Sequence, residues 1–239
     1  DKAVETSPVD DDGIPETPDN FKSVLDPTIR KELLKSTRKF FQDAQDGKTV
    51  DLEVAEETRD KLVLEVATKI DDIKYLGELR VFDEYTYSHN INVSTLCVAL
   101  GIKLGMKETE IKELALASLL HDLGKMKIPK EILNKPGRLT DKEFQIMKLH
   151  PQLGFRMIAE ELKLPFEVSR VALEHQERFS GSGYPKALAG NKIGLYSQIC
   201  AICDVYDAIV SKRPYKAAKT SQEALAILVK EGAASFNPA

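Results

Sequence analysis

From Asp26 to about residue 232, apolar residues return every three or four positions, and nowhere with the period of two that a half-buried strand requires. A chain patterned in this way can bury its apolar side chains only by packing helix on helix, so an all-α helical bundle is expected. The 239 residues suffice for one large core, or for a domain with a smaller appendage. Tryptophan is absent, so Leu, Ile, Val and Ala must fill that core.

Glycine, proline and charge divide the chain. Residues 1–25 are acidic and proline-containing, with too little apolar surface to offset their own ordering, and read as a flexible linker. Residues 26–80 hold two helical patterns. The first carries Ile29, Leu33, Leu34, Phe40 and Phe41 up to the Asp46-Gly47 break. The second, over 51–76, carries Val54, Leu62, Val66, Ile70 and Ile73 and should stop at Gly77. These helices could end a regulatory domain or pair two copies into a homodimer. Further on, Thr140 and Glu143 form a capping-box pattern that starts a helix reaching about Leu149, and His150-Pro151 opens the next. Residues 179–194 hold glycines and a proline that forbid a helix. A loop of that length inside a compact domain is usually functional.

The formal net charge of −4 argues against a general polyanion binder, so a nucleic-acid polymer is not expected as a partner. No run approaches the roughly 18 apolar residues of a membrane span. Three cysteines in a chain of this size do not make a disulfide framework, which favours a reducing, cytoplasmic setting. The Cys200/Cys203 pair sits in an apolar helical segment and reads as core. The chain begins at Asp1 with no leader, as a portion of a longer protein would.

Chemistry concentrates around four histidines. His121-Asp122 ends an apolar helical run, Leu114 to Leu120, where burial without partners would be costly. A divalent metal would satisfy both side chains, and so would hydrogen bonds to a neighbouring turn. Asp204 and Asp207 lie three residues apart on one face of another apolar helix, where carboxylates need cations or donors. An ion pair to Lys212 or Arg213 is the competing account.

In the order His89, His121-Asp122, Asp204, the chain resembles the HD superfamily of metal-dependent phosphohydrolases. It is similar to the HD-GYP subgroup in several further elements. These are His150, the run His175-Gln176-Glu177 through Ser180-Gly181-Ser182-Gly183-Tyr184-Pro185, the Asp204/Asp207-Ala208 spacing, and Arg213-Pro214-Tyr215. The resemblance implies an HD-GYP domain over 81–239 and two divalent metals, iron or manganese. One would lie among His89, His121, Asp122 and Asp204, the other among Asp122, His150 and His175, with Asp122 bridging.

Two departures stand out: Gln176 replaces the second histidine of the subgroup's His-His-Glu element, and Ser180 replaces its Asp or Asn. Gln176 would be a weak ligand at best. Tyr85 stands where some members place a glutamate for a third metal. For such a family the implied activity is hydrolysis of cyclic di-GMP to pGpG, and in some members on to GMP, in bacterial signalling. Lys125 would meet developing charge, and Tyr184, Gly183, Arg213 and Lys216 would contact substrate. Two other readings stay open: a module that binds cyclic di-GMP, or a protein partner at the Gly-rich loop, with little turnover; and a generic HD phosphohydrolase acting on another nucleotide.

Overall fold

A computed structural model describes residues 24–72, 85–211 and 219–237. Among these, every regular element is helical. The first is α1 (Pro27–Gln45). Asp26 caps it by accepting from the Thr28 amide at 2.9 Å, and Pro27 supplies a preset φ at its first position. Leu33, Leu34, Thr37, Phe40, Phe41 and Ala44 form its buried stripe. Gly47, at φ 69°, turns the chain after it. Asp51 caps α2 (Leu52–Lys69) through the Glu53 amide at 3.1 Å. The single helix expected over 51–76 instead tightens into a 3₁₀ turn at Ile70–Asp72, a common way for a helix to end. The stop expected at Gly77 lies outside the described residues.

The centre of the bundle is α3 (Tyr85–Lys103), buried on every side from Ser88 to Ala99. A helix so enclosed must place its polar side chains against partners. Ser94 Oγ donates to the Ala115 carbonyl at 2.8 Å, and Thr95 Oγ1 to the Ile91 carbonyl at 2.8 Å. Against α3 pack α4 (Glu108–Leu119) and α9 (Leu195–Val210), with α1 and α2 closing another side. Leu33, Leu34 and Phe41 of α1, Leu62 and Val66 of α2, and Leu119, Leu120 and Leu123 belong to one continuous core. The apolar stripes offered above to a second copy are therefore largely used within the chain. Each such side chain stabilises the fold by about 1.5–3 kcal/mol on burial.

After α4 come a 3₁₀ segment (Leu123–Lys127) and the short α5 (Lys130–Leu133). Next is α6 (Asp141–Met147), which opens on the capping box formed by Thr140 and Glu143. Then follow α7 (His150–Arg156), α8 (Phe166–Glu174) and, beyond the long loop, α9. The last helix, α10 (Ser221–Ser235), packs on α9. Its end also holds the loop, because the Ala234 and Ser235 carbonyls accept from the Ser180 and Phe179 amides, each at 3.1 Å. No helix among the described residues is long and apolar enough to cross a membrane.

Candidate metal centre

Four helices deliver the histidines to one place. His89 comes from α3, His121 follows the end of α4, His150 opens α7 and His175 ends α8, and all four are buried. In each ring Nδ1 is already committed. It lies 2.7 Å from the Ser118 carbonyl in His121, 2.7 Å from the Met147 carbonyl in His150 and 3.0 Å from the Ala172 carbonyl in His175. In His89 it lies 2.8 Å from Asp207 Oδ2. A carbonyl can only accept, so in His121, His150 and His175 Nδ1 carries the proton and Nε2 presents a lone pair, while in His89 the Asp207 carboxylate likewise holds the proton on Nδ1.

Those Nε2 atoms surround Asp122. His89 and His121 approach its Oδ2 at 3.7 and 3.4 Å, while His150 and His175 approach its Oδ1 at 3.5 and 3.6 Å. Asp204, from α9, adds a second carboxylate 3.2 Å from His89 Nε2. Two buried atoms, His121 Nε2 and Asp122 Oδ1, have no hydrogen-bond partner. The Nε2 atoms of His150 and His175 face each other at 3.1 Å, lone pair against lone pair. A polar centre this dry and this short of donors is satisfied by cations, and the mixed nitrogen and carboxylate-oxygen donor set suits a divalent transition metal. The sets His89/His121/Asp122, His121/His175/Asp204 and Asp122/His150/His175 each converge closely enough to share an ion.

The electrostatics fit ligation. Burial pushes His121 down to about 4 and His150 to about 3, so both are neutral, as ligands must be. Burial opposes ionisation of Asp122, but the charge of Lys125 and the surrounding imidazoles outweigh it and hold the carboxyl well below its usual range. Asp204 is likewise held ionised against burial, chiefly by its hydrogen bond to His89. Burial alone would lower His89, yet Asp204 and Asp207 together raise it to about 9. A proton or a cation on its Nε2 satisfies both partners.

Lys125 Nζ pairs with Asp122 Oδ2. Gln176 lies against the other carboxylate, donating from Nε2 to Asp204 Oδ2 at 3.3 Å. Asp204 in turn shares a close donor set with His121 and His175, so the Gln176 amide stands at the cluster. Tyr184 stands at the rim, its ring centroid 6.4 Å from that of His150, and burial keeps its phenol protonated with a pKa of about 12. Gly183 is pressed on the backbone, where a Cβ would come within 2.4 Å of Glu177 Cα and of the Arg178 nitrogen. Its visible work is to seat the loop. Arg213 and Lys216, with the rest of the Arg213-Pro214-Tyr215 run, lie outside the described residues.

Several supporting residues had been given no place at the site. Asp207 holds His89 and is itself held by Asn92 Nδ2 at 3.1 Å and Ser211 Oγ at 3.1 Å. Its place three residues after Asp204 was the available signal. Glu177, only 1% exposed, ties down the Gly-rich loop by accepting from the amides of Lys186 at 2.7 Å and Leu188 at 3.0 Å. Gly124 lets α7 come close: a Cβ there would lie 2.0 Å from the His150 carbonyl oxygen.

The HD domain family profile matches residues 76–239. A cyclic di-GMP phosphodiesterase of Pseudomonas aeruginosa, PA4108, is 39% identical over 218 residues, which is 89% of this chain and 53% of that protein. The cyclic di-GMP phosphodiesterase response regulator RpfG of Xanthomonas campestris is 42% identical over 137 residues, 57% of this chain and 36% of that protein. The chain thus spans about half or less of these curated relatives. Among solved structures, Bd1817, a HDG"Y"P protein from Bdellovibrio bacteriovorus, superposes with a TM-score of 0.68. It is 20% identical, and the match covers 88% of this chain and 67% of Bd1817, a likeness of fold. The chain belongs to the HD domain family of metal-dependent phosphohydrolases, and to its HD-GYP type.

Proposed function

We propose that this chain is the catalytic part of a phosphodiesterase that hydrolyses cyclic di-GMP to pGpG, with GMP as a further product, using two divalent cations, iron or manganese. The observation that carries the reading is the convergence of four imidazole Nε2 atoms on Asp122, with the Asp204 carboxylate beside His89, next to the loop that holds Tyr184. In this reading His89, His121, Asp122 and Asp204 hold one cation, and Asp122, His150 and His175 the other. When bound, the cations would supply Lewis-acid chemistry for water and for the phosphoryl oxygens. The residues do the remaining work. Asp122 spans both halves of the centre, Lys125 brings positive charge toward the phosphoryl group, and the protonated Tyr184 hydroxyl donates a hydrogen bond at the rim. Arg213 and Lys216 take phosphate or guanine contacts by family resemblance. A cytoplasmic setting is in keeping with three cysteines that do not amount to a disulfide framework in a chain of this size.

The test is direct. Purified protein is assayed for bound metal, then incubated with cyclic di-GMP and Mn²⁺ or Fe²⁺ under reducing conditions, and the products are separated by chromatography. Appearance of pGpG is expected. Binding of cyclic di-GMP without pGpG or GMP would turn the reading to a binding module.

A further inference from the structure

One cation near the centre has no assigned task. Lys148 caps the C-terminal end of α6, two residues before His150. Its Nζ lies 5.2 Å from the ring centroid of Phe144, one turn earlier, and 5.0 Å from that of Tyr184. Tyr184 in turn meets His150. Phe144, Lys148, Tyr184 and His150 therefore form a row leading from the surface to the metal centre. The outer end is open, since Phe144 is 43% exposed and α6 buries none of its side chains.

Two ordinary explanations cover Lys148 only partly. Among the described residues no carboxylate lies within 4.0 Å of it, so it is not one half of a surface ion pair. As a cation at a helix terminus it would favour the α6 dipole, but that needs only position, not a seat between two rings. Among the described residues two neighbouring cations are engaged elsewhere: Lys125 on Asp122, and Arg178 on the carbonyls of Glu177 at 2.9 Å and His175 at 3.4 Å. A cyclic dinucleotide brings two phosphodiester charges to a site that already holds the ionised Asp122 and Asp204. The metal centre can answer the phosphodiester being cleaved. The other calls for a cation further out, beside whatever Arg213 and Lys216 supply, and Lys148 stands on the Tyr184 side of the centre.

We propose that Lys148, seated between Phe144 and Tyr184, contacts the phosphodiester of the cyclic dinucleotide that is not being cleaved. This rests on the phosphodiesterase reading above.

The experiment uses the full chain loaded with Mn²⁺, measuring initial rates against cyclic di-GMP concentration at low and high salt. Wild type is compared with Lys148→Ala, Lys148→Arg and, as a control on the same helix, Lys142→Ala. The alanine variant should raise KM by about tenfold or more, the loss of one charged hydrogen bond, with kcat within about twofold. Its KM should also respond less to salt than that of wild type. Lys148→Arg should recover most of the loss, and Lys142→Ala should track wild type. An unchanged KM with an unchanged salt response would overturn the proposal, and so would a fall in kcat with KM intact. Should wild type itself yield no pGpG, the function reading fails separately. Equilibrium dialysis with cyclic di-GMP then decides: a tenfold weaker Lys148→Ala keeps the contact, and equal affinities end it.

Discussion

Asp207 carries no approach to the cluster around Asp122, yet its Oδ2 lies 2.8 Å from His89 Nδ1 and fixes which nitrogen of that ring faces inward. Asn92 and Ser211 hold the carboxylate in turn. Asp207→Asn can keep the shape while losing the charge that favours the Nδ1–H form. Metal content and turnover should each fall about 10- to 100-fold, as for other partners of metal-bound histidines. Elemental analysis alongside product formation checks this. Retained metal with retained turnover would show that His89 is oriented by packing alone.

Gly124 and His150 are in backbone contact, and a methyl group at residue 124 would sit 2.0 Å from a carbonyl oxygen that cannot swing aside. Gly124→Ala must push α7 away, and His150 with it. A loss of about 3 kcal/mol, at the severe end of overpacking, is expected in denaturant unfolding, together with loss of metal. Leu104→Ala, at an exposed site remote from the centre, should change neither by a comparable amount.

Glu177 closes the loop between Arg178 and Gly190 with two charged hydrogen bonds in a dry setting. Glu177→Ala leaves two amides unsatisfied, at a cost of about 3 kcal/mol concentrated in that loop. Limited proteolysis should then cut between residues 178 and 190, and turnover should drop at least about tenfold while the histidine cluster keeps its metal. Resistance to protease equal to wild type would refute this role.

In chelator-treated protein, His121 and His150 are neutral, with pKa values of about 4 and about 3, whereas an unfolded histidine titrates near 6.5. The unfolded chain binds more protons in that window, so stability is present above about pH 6.5 and is lost as pH falls. His89 acts in the opposite sense. Raised to about 9 by Asp204 and Asp207 against burial, it contributes fully below about pH 6.5 and fades as pH rises through 9. Scanning calorimetry in chelator should show Tm falling by about 5 °C or more between pH 7 and pH 5. Adding Mn²⁺ at pH 7 should raise Tm, since the cation binds only the folded cluster. A Tm flat from pH 7 to pH 5 would contradict the assignment of neutral buried rings.

Much of this was legible in the sequence. The spacing of Leu33, Phe40 and Phe41, the cap at Asp26 and the box at Thr140 and Glu143 mark helices because they are local rules, satisfied within a turn or two. His121, Asp122 and Asp204 stood out because each ends or lies on an apolar helical run where an ionisable group needs a partner, and His89, His150 and His175 were named through the resemblance to the HD-GYP subgroup. What was not legible depends on register between distant helices. His89 and Asp207 are 118 positions apart, and only the crossing of α3 and α9 makes them partners. The direction of Gln176 and the seat of Lys148 follow from how α8 ends and where the Tyr184 loop is tied down. No residue pattern within either segment encodes these.

The packing of α1 and α2 beneath Leu119 and Leu120 bears on where this protein can be cut. The HD domain profile begins at residue 76, after both helices have ended, while the match to PA4108 covers 89% of the chain and so takes in helices before it. Phe40, Phe41, Ala55 and Thr58 nevertheless line one cleft with Leu119 and Leu120, the residues that lead into His121. A fragment trimmed to residues 76–239 would give that floor to water and melt from beneath. The borders of the profile and the borders of what stays dry therefore differ, and an expressible catalytic piece must be drawn by the second.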